Sequence, residues 1–198
     1  QLVLNPTSEQ RKLSDLDVTV VSTGKKVVMI EAGANEVPND KMFEAIKMAH
    51  EENQKIIALI GEAAAKGAEL IVFPELFIPG YPYGMTYGFT VGSRSRAGRE
   101  DWKTYYDNSI LADGAEMQSI VDCAKEHSVY VSVGYSERDA VTATLYNSNI
   151  MIAPDGQTMN HRKLKPTGSE RVIWGDADKD FFPVMETPWG PMGNLICW

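Results

Sequence analysis

Apolar positions along the chain follow two periods. Val27-Val28-Met29-Ile30 and Leu70-Ile71-Val72-Phe73 are short unbroken apolar runs, the pattern of buried strands. From residue 54 to 66 the spacing is helical. Ile56, Ile60, Ala63 and Ala64 form one stripe, and Gly67 supplies a stop. Asn39 is a candidate cap for an earlier helix start, although the polar stretch 50–55 interrupts the pattern. A second amphipathic helix carries Met117, Ile120, Val121 and Ala124 on one face, with His127 at its end. Residues 129–133 are the next strand. Residues 147–153, the turn Pro154-Asp155-Gly156 and a return through Met159 predict a hairpin. Two closing strands fall around 182–185 and 193–197. Near the start, Leu16, Val18 and Val20 alternate with polar residues, as in a short strand or a packing or disordered arm.

Strands separated by helices, with an added hairpin, predict a layered α/β fold. Residues 74–113 are rich in Gly, Pro, Tyr and Arg and are expected to form one long loop. Loops of that length usually carry function. Chemistry in such folds gathers where strands end, and three reactive positions fall there. Glu75 follows Phe73-Pro74. Lys163 and Lys165 lie in His161-Arg162-Lys163-Leu164-Lys165. Cys197 lies in Leu195-Ile196-Cys197-Trp198. Each has an ordinary reading: a solvated carboxylate, a charged edge strand, a small buried residue. A functional Glu75 would be partly buried by the aromatic segment 77–87 and act as a general base. The two lysines share one face of an extended strand, and spacing does not choose between them. A reactive cysteine needs a nearby cation, which a lysine could supply.

Composition narrows the classes. The chain has 198 residues, 43% hydrophobic and 23% charged, enough for one domain or most of one. A formal net charge of −8 argues against nucleic acid and an anionic membrane as partners. No apolar run reaches the ~18 residues of a membrane span, and the polar first twenty residues are no signal peptide. Cys123, within a helix, is expected to be structural. With no disulfide framework in view, the reducing cytoplasm is the expected compartment. His50, His127 and His161 show no zinc spacing, and Gly80, Gly84 and Gly88 form no phosphate loop. Apolar residues running up to Trp198 suggest a portion of a longer chain.

Three segments carry a specific resemblance. IVFPELFIPGYPYG at 71–84 resembles the first catalytic block of the nitrilase family, HRKLKPT at 161–167 its lysine block, and GNLICW at 193–198 the start of its cysteine block. Glu170-Arg171 and Trp174-Gly175 are similar to the stretch after the lysine. The resemblance covers residues 26–198 and leaves 1–25 as an N-terminal arm. It implies an αββα sandwich whose second half is incomplete, and a triad of Glu75, Lys163 and Cys197. The first lysine of the block takes the family position. Glu170 would be an accessory carboxylate that orients the site. Tyr81 and Trp198 would belong to the substrate pocket. Tyr81, Tyr83 and Tyr87 would either wall that pocket or only pack their loop. The implied reaction hydrolyses a small nitrile to its carboxylic acid and ammonia through a cysteine thioimidate and thioester, without metal or organic cofactor. An amidase, a nitrile or cyanide hydratase, or a non-catalytic assembly subunit are the alternatives. A homo-oligomer, dimer or spiral, is implied as well. The chain departs from the family in having Gly168-Ser169 where a histidine is common, and in a region 38–67 that is longer than usual.

Overall fold

The computed structural model describes residues 1–198 apart from 5, 7, 23, 93, 94, 179–181 and 198. A short helix α1 (Ser8–Lys12) precedes strands β1 (Leu16–Ser22) and β2 (Val27–Ala34), which pair antiparallel in a sheet of their own. The apolar run at 27–30 is therefore not a buried central strand. Ile30 is 47% exposed. Among the described residues β2 pairs only with β1, in a two-stranded sheet, and an apolar run alone does not report that.

Helix α2 (Asn39–Ala65) runs unbroken through the polar stretch 50–55. That stretch has a use: Asn53 Nδ2 donates to Val20 O and to Ser22 Oγ, both at 3.0 Å, and so ties β1 to the helix. Ile60 and Ala64 face the core as expected, whereas Ile56 is 48% exposed and Ile57 takes its place. Asn39 is the first helical residue; Pro38 holds the cap position without a side-chain bond. At the far end Gly67 takes φ 85°, Ala68 N–H bonds Ala63 O at 3.0 Å, and Gly67 N–H bonds Ala64 O at 2.9 Å. This is a Schellman stop, and it favours glycine at its left-handed position.

Four strands form the main sheet, β3 (Leu70–Val72), β4 (Tyr130–Arg138), β5 (Leu145–Ile152) and β6 (Thr158–Arg162), in that order. The first pair is parallel and the others antiparallel. Helix α3 (Arg96–Asp107) and helix α4 (Ala115–His127) lie between β3 and β4 in sequence. Ile60 of α2 and Met117, Val121 and Ala124 of α4 pack on Phe73, Val131, Val133, Ile150 and Ile152. Alternation then sends Ser132, Gly134, Asn147, Asn149 and Met151 to the opposite face. Part of that face is covered by Met185 and Met192 of a small hairpin, β7 (Met185–Thr187) and β8 (Gly190–Met192). No helix among the described residues is long and apolar enough to cross a membrane.

Two expectations fail here. Segment 74–113 is not one loop, because it contains α3. A polar twelve-residue sequence with Gly98 inside it concealed the helix, whose buried side shows only as Trp102, Tyr105 and Tyr106. Ser95 Oγ caps it by accepting from Gly98 N–H at 3.2 Å. Gly98 is required, since a Cβ there would lie 2.1 Å from Tyr87 O. Residues 193–197 form no strand either. The closing hairpin comes earlier, at β7 and β8, and Leu195 is 71% exposed.

The register of β4, β5 and β6 is locked by a buried charge on the helix-side face. Glu137, 3% exposed, accepts from Ser148 Oγ at 2.6 Å, Asn160 Nδ2 at 2.8 Å, and Arg162 through Nε at 3.0 Å and a terminal nitrogen. Arg162 also lies over the Tyr146 ring, 3.9 Å from its centroid. Burial pushes the Glu137 carboxyl up, but these hydrogen bonds outweigh it and the net shift is downward. A one-residue slip would send every partner to the wrong face. Replacing Arg162→Met leaves this carboxylate buried without its cation and should cost about 3 kcal/mol. Urea unfolding should show a lower midpoint at unchanged slope; an unchanged midpoint would show that the pair does not hold the sheet.

Candidate active site

The first carboxylate is positioned by an interruption in the sheet edge. Phe73 N–H donates to Ser132 O at 2.8 Å, and the chain rejoins β4 at Ile78, whose N–H donates to Gly134 O at 3.2 Å. Residues 74–77 leave the ladder between these points, and Glu75 stands in the excursion. Leu76, 1% exposed, adopts φ 49°, a left-handed conformation that a bulky residue holds only when its surroundings impose it. The excursion crosses β4 at Gly134. A Cβ there would meet Pro74 O at 2.6 Å, Leu76 N at 2.7 Å and Glu75 Cα at 2.8 Å, so glycine sets how closely Glu75 approaches the sheet.

The cation arrives from β6. Arg162, its last residue, points to the helix side, so Lys163 faces the opposite side. Its N–H donates to Asn147 O at 2.7 Å. The Lys163 side chain is 4% exposed, and Nζ contacts Glu75 Oε1 at 3.1 Å, Glu170 Oε2 at 2.9 Å and Glu170 Oε1 at 3.2 Å. Glu170 sits on a short 3-10 turn, Gly168–Val172, and closes a capping box with Thr167, whose N–H donates to Oε2 at 2.7 Å. Tyr81 OH donates to Glu170 Oε1 at 2.7 Å. Asn147 Nδ2 donates to Glu75 Oε1 at 2.7 Å. Burial works against the Lys163 ammonium, but its hydrogen bonds to Glu170 and Glu75 prevail and the net shift is upward. Burial likewise works against the Glu170 carboxylate, but the Thr167, Tyr81 and Lys163 donors carry it below its ordinary range.

Glu75 and Cys197 border one cavity of about 460 Å³, together with Val72, Gly134, Asn147 and Asn194. Lys163 does not line it. Cys197 is a free, exposed thiol at φ 64°. No hydrogen bond among the described residues joins its sulfur to Glu75 or Lys163. Its segment is tethered to β5 by Asn194 Nδ2, which donates to Asn149 O at 3.2 Å. The other cysteine, Cys123, is buried in the helix-side core, and burial pushes its thiol up to about 11.

Of the residues singled out from sequence, Glu75, Lys163 and Glu170 are in direct contact, and Cys197 shares the cavity with Glu75. Lys165 is exposed and pairs with Asp176 instead. The Glu75 side chain is 35% exposed, so it is partly buried, with Lys163 and Asn147 as its hydrogen-bond partners. Tyr81 does not line the cavity but reaches Glu170. Tyr83 is 91% exposed, Tyr87 is buried beside Tyr105, and Trp198 lies outside the described residues. Cys197 follows irregular chain, not a strand. Sequence reasoning missed Asn147. The one signal for it was its place opening the expected hairpin, on the strand beside Lys163.

Comparison with known proteins identifies the family. Residues 47–198 match the carbon–nitrogen hydrolase family, so the chain belongs to that family, and within it to the nitrilase branch. It is 43% identical over 145 residues to an aliphatic nitrilase of Sinorhizobium fredii, covering 73% of this chain and 46% of that protein. It is 42% identical over 141 residues to a bifunctional nitrilase/nitrile hydratase of Lupinus angustifolius (71% and 40% covered). It is 43% identical over 150 residues to a cyanide hydratase of Stereum hirsutum (73% and 38% covered). The chain thus spans less than half the length of these curated relatives. In fold it is similar to Nit3 of Saccharomyces cerevisiae, a member of the nitrilase superfamily (TM-score 0.52, 20% identity, 71% of this chain and 46% of that one). It is also similar to an amidase of Nesterenkonia sp. AN1 solved with acrylamide added to its active-site cysteine (TM-score 0.51, 14% identity, 72% and 49%). The hydrolase match begins at residue 47. Residues 1–52 match a different family, 3' exoribonuclease family, domain 2, and the two matches meet inside α2.

The site's charges set a pH window. Glu170, lowered when folded, contributes stability above about pH 4.3, the ordinary carboxylate value, and loses it as pH falls through its lowered value. Lys163, raised when folded, contributes below about pH 10.4 and loses it as pH rises through its raised value. Between these limits the contribution of these two groups to the thermal midpoint should therefore be constant. Glu170→Gln should make the acid limb shallower. An acid limb unaltered by that substitution would contradict the assigned contacts.

Proposed function

We propose that Glu75, Lys163 and Cys197 act as base, charge stabiliser and nucleophile of a nitrile-hydrolysing enzyme. What supports the reading most is that the Glu75 carboxylate, held by Lys163, borders the same cavity as the Cys197 thiol. Cys197 sulfur attacks the nitrile carbon while Glu75 takes the thiol proton and passes it to the nitrogen, giving a thioimidate. Water then adds, activated by Glu75. Expulsion of ammonia leaves a thioester, and a second water releases the acid and restores the thiol. Expulsion of the thiol from the tetrahedral intermediate would release the amide instead, the outcome that the bifunctional relative's name implies for that protein. Lys163 offsets negative charge as it develops. Glu170 takes no proton in this scheme, because Lys163, Thr167 and Tyr81 occupy both its oxygens. A reducing compartment suits a nucleophile that must remain a free thiol.

Incubating the chain with aliphatic, arylaliphatic and aromatic nitriles, and measuring ammonia, acid and amide, tests the reading. Cys197→Ala should abolish turnover, and Lys163→Met should lower it by about a hundredfold. Ammonia released at the parent rate by Cys197→Ala would refute the nucleophile. Self-assembly into a dimer or spiral belongs to the same proposal. Light scattering should give a mass above the 21.9 kDa of one chain, and a monomer at working concentration would reject it.

We further propose that the chain joins two units of different origin within α2. In support, the two family matches overlap only at 47–52, and β1 and β2 form a sheet separate from the main one. Hydrogen exchange should show β1 and β2 opening at lower free energy than β4 and β5. A single level of protection across both sheets would contradict this division.

A further inference from the structure

The two oxygens of Glu75 are treated unequally. Oε1 accepts from Lys163 Nζ at 3.1 Å and from Asn147 Nδ2 at 2.7 Å, whereas Oε2 accepts no hydrogen bond among the described residues. Asn147 is 1% exposed, and its main-chain oxygen accepts the Lys163 N–H at 2.7 Å. It therefore grips both charged residues, one by its backbone and one by its side chain. The side-chain contact has a cost. Asn147 Oδ1 is buried without a partner, and the amide cannot turn over without aiming an acceptor at the carboxylate. The bond to Glu75 is thus what sets the orientation of this amide. Asn147 also borders the cavity that holds Cys197.

We infer that Asn147 is a positioning residue for Glu75: with Lys163 it commits Oε1 and leaves Oε2 as the oxygen that exchanges the proton with Cys197. The inference rests on Glu75 being the base. Two donors on one oxygen stop the carboxylate from rotating, and the proton goes to the oxygen whose lone pairs are free. Oε2 takes it from Sγ as the carbon–sulfur bond forms and returns it to the substrate nitrogen. Asn147 gives and takes no proton.

The test follows carbamidomethylation of Cys197 by iodoacetamide at pH 7, read by peptide mass spectrometry in the full chain; this needs the thiol and its base but no turnover. Asn147→Ala should slow it by about tenfold. Asn147→Asp, which keeps the shape but cannot donate when ionised, should slow it as well. Adding Asn147→Ala to Glu75→Gln should slow it no further. Parent-rate alkylation in the single variants, or additive losses in the double one, would overturn the inference. Should the variants fold poorly, the side-chain amide resonance of Asn147 in the parent chain serves. It should move on Glu75→Gln, and a fixed resonance overturns the contact. Should the alkylation pattern hold while no nitrile is hydrolysed, the positioning stands and the hydrolase reading falls. Nitrile hydrolysis accompanied by additive losses would leave the hydrolase reading standing and overturn the positioning.

Discussion

One ammonium organises this face of the sheet. Lys163 is 4% exposed and faces two carboxylates, Glu75 and Glu170. A charge that far from water is tolerated only when paired and hydrogen-bonded, so the lysine dictates where both acids must be. Its demand reaches two segments far apart in sequence, the excursion after β3 and the turn after β6. The two acids are not equivalent under it. Glu170 is saturated by Lys163, Thr167 and Tyr81, whereas one oxygen of Glu75 accepts no hydrogen bond among the described residues. Division of labour follows from that difference: one acid anchors the cation, the other remains able to exchange a proton.

The arrangement depends on strand parity. Arg162 and Lys163 are neighbours with opposite tasks. Arg162 neutralises Glu137 under the helices, and by doing so fixes the register that turns Lys163 toward the other face. Gly134 completes the geometry, because any side chain there would push the Glu75 excursion off the sheet. The site is thus held by a structural ion pair on one face and by a missing side chain on the other.

Much of this is legible in the sequence. Helical spacing locates α2 and α4, and Pro154-Asp155-Gly156 locates the turn between β5 and β6. The motifs around Glu75 and Lys163 mark residues that do meet. What escapes has physical causes. Helix α3 is polar with a glycine inside, and its apolar side is aromatic and narrow. β2 has the composition of a buried strand but pairs, among the described residues, only with β1. Ile56 is expected in the core where Ile57 serves, because adjacent isoleucines leave the phase of a helix open. Asn147 is one of three consecutive polar residues in β5, Asn147-Ser148-Asn149, and only the contact with Glu75, 72 positions away, distinguishes it from its neighbours. The carbon–nitrogen hydrolase match spans the main sheet, while the first strands fall in the part matched by another family.

The proposed chemistry requires Cys197 to react under the control of the Lys163–Glu75 pair. The direct measurement is peptide mapping by mass spectrometry after acid quench of the chain with a nitrile in excess. A covalent adduct on the peptide holding Cys197, absent from Cys123 and strongly reduced in both Lys163→Met and Glu75→Gln, is the predicted result. An adduct that forms equally in all three proteins, or none on Cys197 in the parent chain, would contradict it.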